Sequence, residues 1–249
     1  MRYLLIRVKF LIYNSFWLVS EFSKFKLTLN RLSIYNIQLF KFKYWTTASF
    51  YFKANFEKKN IFIKLYKNGN KSLREAAILK YISESNFGSF TSKHVYDGKI
   101  DTKSILVTEL ISGKPLIEKN TEIDLFLIII DQFIESLNSL QRLGIVHCDI
   151  RPENILLTPS NKIQLIDFEY AVCKSIQNLN NLKFEKKLIL QNLGKEYSCK
   201  GLVWDDAYSF YKIIKKILEF NDYRESDLLI INEKIDIIKS YIGRNTYEI

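Results

Sequence analysis

Asp149 and Asn154 stand five residues apart in the run Val146-His147-Cys148-Asp149-Ile150-Arg151-Pro152-Glu153-Asn154-Ile155-Leu156-Leu157, and Asp167 follows thirteen residues after Asn154 in Asp167-Phe168-Glu169. Residues of these types suit phosphoryl transfer to a hydroxyl. That reaction needs a carboxylate near the acceptor oxygen, oxygen ligands for a divalent cation and a cation on the phosphates, because its catalysis is mostly positioning and charge stabilisation. A carboxylate and an amide carbonyl are both suitable Mg2+ ligands. The competing reading is a loop in which Asp149 and Asn154 only cap turns.

The elements that must position these residues are legible from periodicity. Two short strands, Ile155-Leu156-Leu157 and Ile163-Gln164-Leu165-Ile166, joined by a turn at Thr158 to Lys162, return Asp167 beside the loop that holds Asp149. Upstream, Phe126, Ile129, Ile130, Phe133, Leu137 and Leu140 predict one apolar face of a long helix over 123–143, stopped by Gly144. Residues 33–66 alternate apolar and polar positions and predict three antiparallel strands, around Ile34 to Leu39, Phe50 to Phe52 and Ile61 to Leu65. A helix from Lys71 to Ser85 follows, with Ser72 as its N-cap, Leu73, Ala76, Ala77, Leu79, Lys80 and Ile82 at helical spacing, and Gly88 just past its end. Two more strands are expected in 94–112, around a turn at Asp97-Gly98, the second being Ser104 to Ile111.

The run from His147 to Asn154 resembles the catalytic loop of the protein-kinase superfamily, and Asp167-Phe168-Glu169 resembles its metal-binding motif. The resemblance implies an α+β, two-lobed protein-kinase-like fold: an N-lobe with a five-stranded antiparallel sheet and one helix, and a mostly helical C-lobe truncated at the C-terminus. The expected divisions are a basic aromatic segment at 1–30, the N-lobe at 31–112 and the C-lobe at 113–249. ATP and Mg2+ are the implied cofactors. By position, Asp149 orients or deprotonates the acceptor hydroxyl, Arg151 offsets charge on the transferred group, and Asn154 and Asp167 hold Mg2+. Lys64, on Ile61-Phe62-Ile63-Lys64-Leu65, matches the phosphate-binding lysine, and Glu75 matches its ion-pair partner. Thr108-Glu109-Leu110-Ile111 resembles the hinge, where backbone groups of Glu109 and Ile111 meet adenine. His147 and Asp206 are expected to be structural, Asp206 bracing the catalytic loop. Gly194-Lys195-Glu196-Tyr197 resembles the segment after the activation loop.

Several departures bear on the acceptor. No Gly-x-Gly-x-x-Gly occurs, and Thr46-Thr47-Ala48-Ser49 is the expected turn between the first two strands. Cys148 stands where an arginine is usual, and Glu169 where the motif has glycine. The chain after the helix starting near Asp206 is short for a peptide-docking subdomain. These features look most like kinases of lipopolysaccharide or other surface-glycan sugars, so a sugar or glycan-lipid acceptor is the leading expectation. A serine/threonine protein kinase is the alternative, and a choline- or aminoglycoside-type kinase and a pseudokinase are further ones.

Composition sets the context. The chain has 249 residues, 47% hydrophobic, with only three prolines and eight glycines, enough to build a large core without a linker. Cys148, Cys173 and Cys199 have no metal-ligand spacing and cannot close a disulfide framework, which fits a reducing cytoplasm. Residues 1–60 carry eleven Lys and Arg against Glu21 and Glu57, most of the net charge of +10, and 16 of the 36 aromatics. A basic solvated face over an aromatic core accounts for this. A peripheral site for the anionic inner face of a membrane is the functional alternative. Arg7, Lys9 and Glu21 interrupt the apolar start, so it predicts neither a membrane span nor a signal peptide. Nucleic acid is not expected, since no recognition motif accompanies the charge.

Overall fold

The structure is a computed structural model that describes residues 2–40, 49–66, 69–176, 190, 192–199 and 201–248. Two compact units emerge, Met1–Ala76 with Lys93–Leu110, and Ala77–Ser92 with Ile111–Ile249.

The first unit is built on an antiparallel sheet of β1 (Ile34–Leu39), β2 (Phe50–Phe56), β3 (Lys59–Tyr66), β4 (His94–Ile100) and β5 (Lys103–Glu109), ordered β1-β2-β3-β5-β4. Alternation selects the inner face. Phe50, Phe52 and Ala54 of β2 stand opposite Leu65, Ile63 and Ile61 of β3, and all six are buried. Two helices, α1 (Arg2–Ser20) and α2 (Phe22–Arg31), add Trp17, Phe25 and Leu29 to the same core. Trp17 meets Phe50 with ring centroids 4.4 Å apart, and Phe25 meets Phe52 at 5.1 Å.

Several sequence expectations are corrected here. Helix α3 spans Gly69–Glu84, so Ser72 lies within its first turn, buried, and does not cap it. Its inward side is set by Ala76, Ile78, Leu79 and Ile82, while Leu73 and Lys80 are exposed. The β4–β5 turn is Asp101-Thr102, because the ladder closes at Ile100 opposite Lys103. Asp101 takes the left-handed conformation (φ 53°) that aspartate tolerates. Asp97 and Gly98 lie inside β4, opposite Leu106 and Ile105, and β5 ends at Glu109, two residues before Ile111. Thr46 to Ala48 of the expected first turn lie outside the described residues.

In the second unit, α4 (Ile123–Leu143) buries Phe126, Ile129, Ile130, Phe133, Leu137 and Leu140 and ends on Gly144, whose φ of 65° suits glycine. Against it pack α5 (Asp206–Phe220), with Phe133 and Phe210 rings 4.2 Å apart, and α6 (Glu225–Tyr241), which buries Ile231, Ile235 and Ile238. Short strands frame the loops: β6 (Lys114–Pro115), β8 (Ile155–Leu157) and β9 (Ile163–Leu165) form one sheet, ordered β6-β8-β9. β7 (Ile145–Val146) pairs with β10 (Val172–Cys173), and β11 (Val203–Asp205) with β12 (Thr246–Glu248). All three cysteines are free thiols. Among the described residues no helix is long and apolar enough to cross a membrane.

Candidate active site

Lys64 and Glu75 meet within the first unit. Lys64 lies two residues before the end of β3, Glu75 comes from the second turn of α3, and Lys64 Nζ lies 2.9 Å from Glu75 Oε2 with both side chains buried. Tyr66, two residues along β3 from Lys64, donates its hydroxyl to the same Oε2. Burying two opposite charges is tolerable only when they are paired and further hydrogen-bonded, and Tyr66 supplies such a bond. Sequence reasoning missed Tyr66. Its same-side spacing from Lys64 was the available signal.

Glu109, at the end of β5, is held by other partners. Its N–H donates to the Lys93 carbonyl at 2.9 Å and its carboxylate accepts from Lys59 Nζ at 2.6 Å. Ile111 belongs to the second unit, just past β5.

Asp149, Arg151, Asn154 and Asp167 gather in the second unit on the loop after β7 and at the end of β9. Asn154 Nδ2 donates to both Oδ2 and the backbone carbonyl of Asp149, each at 2.9 Å. Arg151 Nε is 3.3 Å from Asp149 Oδ2, close enough for ion pairing although the N–H is not aligned for a hydrogen bond. Burial pushes the Asp149 carboxyl up to about 6, against the pull of Arg151 and of its hydrogen bonds. The strand pair brings Asp167 back to this loop through the Ile166 N–H, which donates to the Asn154 carbonyl at 3.0 Å. Asp167 itself adopts φ 68°.

The loop is held from behind by two residues. His147 Nε2 donates to the Ile166 carbonyl at 3.0 Å while Nδ1 accepts the Asp149 N–H at 3.3 Å, a pattern only the neutral ring satisfies. Burial pushes His147 down to about 4, in agreement. Asp206 accepts the N–H of His147 at 2.7 Å and of Cys148 at 3.3 Å. Those bonds hold Cys148 in a left-handed conformation (φ 66°) that a non-glycine residue adopts only when its surroundings enforce it.

Gly194 reaches the same carboxylate. Its N–H donates to Asp149 Oδ1 at 2.6 Å. Beyond it, Lys195 pairs with Glu153 and Tyr197 donates to Glu118 at 2.6 Å, fixing the short 3-10 turn Lys195–Tyr197. Asp149 is thus enclosed by Asn154, Arg151 and Gly194.

The sequence pattern of the protein kinase domain matches residues 52–187, more than half of the chain. This chain belongs to the protein kinase domain family. The kinase domain is 34% identical over 123 residues to the serine/threonine-protein kinase PEPKR2 of Arabidopsis thaliana, covering 46% of this chain and 26% of that one. It is 26% identical over 151 residues to the serine/threonine-protein kinase PknD of Chlamydia muridarum, covering 59% and 14%. To the serine/threonine-protein kinase ppk5 of Schizosaccharomyces pombe it is 35% identical over 120 residues, covering 43% and 14%. The matches therefore span about a quarter or less of the length of these relatives.

Proposed function

We propose that this kinase domain transfers the γ-phosphate of ATP, with Mg2+, to a serine or threonine hydroxyl of a protein. The observation that carries the reaction is the Asp149 cluster, a buried carboxylate with an adjacent cation and two further oxygen donors. The relatives' names favour a protein acceptor over a sugar. They reverse the order of the two acceptors expected from the sequence.

The donor set fits the metal. Asn154 uses its amide N–H groups on Asp149, which leaves Oδ1 as the ligand end, and with the Asp167 carboxylate it offers the hard oxygens that Mg2+ takes. Bound Mg2+ supplies neutralisation of the phosphate oxygens. Asp149 accepts the acceptor's hydroxyl proton as the new O–P bond forms and the bond between the γ-phosphorus and the bridging oxygen breaks to leave ADP. Arg151 offsets the charge gathering on the transferred group, and Lys64, held by Glu75, carries a phosphate-binding cation. Glu109 and Ile111 offer backbone groups for adenine.

A sugar acceptor remains the second reading, favoured by Glu169 in place of glycine. Incubation with labelled ATP separates the two: label in peptide mixtures supports the first, and label only in glycan extracts overturns it. Asp149→Ala should reduce turnover by about 10²–10⁴-fold with the fold intact. Unchanged turnover would remove Asp149 from the mechanism.

A further inference from the structure

The function above does not use the outward side of α1. Leu5, Val8, Ile12, Phe16 and Val19 are 63%, 44%, 66%, 72% and 87% exposed. At 100° per residue they fall within about 80° of arc, one continuous stripe along a helix of 19 residues. Scattered apolar residues on a surface need no explanation, but five aligned on one helix face do. The C-terminal half of the helix is anchored, because Trp17 and Asn14 on its other side are buried and Trp17 belongs to the sheet core.

Charge narrows the occupant. Residues 2–31 contain Arg2, Arg7, Lys9, Lys24, Lys26 and Arg31 against the single acid Glu21, and of these cations Lys24 is paired with Asp101 at 3.2 Å. Lys9 is exposed and falls next to Phe16 around the helix, on the edge of the stripe. A second copy would bring two such basic helices together and repel. An anionic lipid surface takes both the apolar stripe and the positive charge. Because Asn14 and Trp17 fix the inner side of the C-terminal half of α1, the outer face is presented flat there rather than end-on.

We propose that the outer face of α1 docks the kinase domain on an anionic membrane surface, with Leu5, Val8, Ile12, Phe16 and Val19 in the interfacial layer and the helix axis parallel to it. The assignment is independent of the acceptor and of the roles given to Asp149 and Lys64.

The test is co-sedimentation of the full chain with phosphatidylcholine vesicles, with and without phosphatidylglycerol. Binding is expected only to the phosphatidylglycerol vesicles, weakening with added salt. Ile12→Ser with Phe16→Ser should weaken partition by about tenfold or more per side chain, and Leu5→Ser with Val19→Ser should do the same from the two ends of the stripe. All four side chains are exposed, so thermal unfolding and phosphate transfer should be unchanged. Equal partition of both double variants and the parent overturns the proposal, as does failure of the parent to bind. So does a concentration-dependent dimer that the substitutions dissolve, which would assign the face to a second copy.

Discussion

The backbone N–H of Gly194 donates to Oδ1 of Asp149 at 2.6 Å, across 45 residues of chain. The contact makes the ionised form of the carboxylate easier to hold in a buried setting, and glycine is needed for it twice over. Gly194 has φ 68°, and a Cβ there would come within 2.8 Å of the Ser198 Cβ. Gly194→Ala therefore costs about 1–2 kcal/mol at the backbone and displaces the amide. Loss of a hydrogen bond to the charged form raises a carboxyl pKa. The acid limb of kcat/KM should move to higher pH in the variant, and urea unfolding should begin at lower denaturant. An unmoved limb would mean that the amide does not hold Asp149 in the working enzyme.

With Asp149 in the proposed role of proton acceptor, the same carboxylate should set the pH dependence of the parent. Burial lifts Asp149 to about 6, with Arg151 opposing. A carboxylate in that role must be ionised, so activity should be full above that value and fall about tenfold per pH unit below it. Arg151→Met removes the opposing cation, so the limb should shift upward as well as the plateau falling. A pH–rate profile flat from 5 to about 8 would exclude Asp149 as the titrating base.

Lys64, Glu75 and Tyr66 predict an order of stability losses. Lys64→Met leaves the Glu75 carboxylate buried without its cation, which costs about 3–5 kcal/mol. Tyr66→Phe removes one hydrogen bond to a charged group, about 1.5–3 kcal/mol. Lys64→Met with Glu75→Gln should be less destabilising than Lys64→Met alone, since the buried carboxylate charge is removed together with the cation. Urea midpoints of the three variants check the order. Tyr66→Phe should also raise KM for ATP more than it lowers kcat, because it loosens Glu75 without removing a group that meets the acceptor.

The loop from His147 to Asn154 is legible in the sequence because its chemistry admits few residue types at fixed spacing, and α4 because a six-residue apolar face ends on one glycine. Tyr66 is not, because a tyrosine in a strand fits the alternating pattern whether or not its hydroxyl is used. Helices α1 and α2 escape for another reason. Their apolar residues serve two faces, Trp17, Phe25 and Leu29 inward and Ile12, Phe16 and Val19 outward, so no single stripe stands out. Asp97-Gly98 has the composition of a turn, yet the burial of Ile100, Ile105 and Val107 sets the ladder and moves the reversal to Asp101-Thr102. Register outweighs local composition there.

The β2–β3 turn repeats that lesson and yields the last prediction. Glu57 and Lys58 connect the strands with φ 46° and 64°, both in the left-handed region, and Phe56 stands opposite Lys59 across the turn. A two-residue turn of this hand matches strand twist but favours Asn-Gly, so the ladder from Phe50 to Phe56, with Phe50, Phe52 and Ala54 buried, holds two ill-suited residues in place. Glu57 and Lys58 are exposed, so replacing them removes no packing. Glu57→Asn with Lys58→Gly should stabilise the first unit by about 1 kcal/mol, a rise of about 2–4 °C in Tm. Alanine at both positions is the control, because it deletes the same side chains without easing the backbone and should give no gain. Equal melting of the Asn-Gly and Ala-Ala variants by calorimetry would show that the backbone at this turn carries no strain.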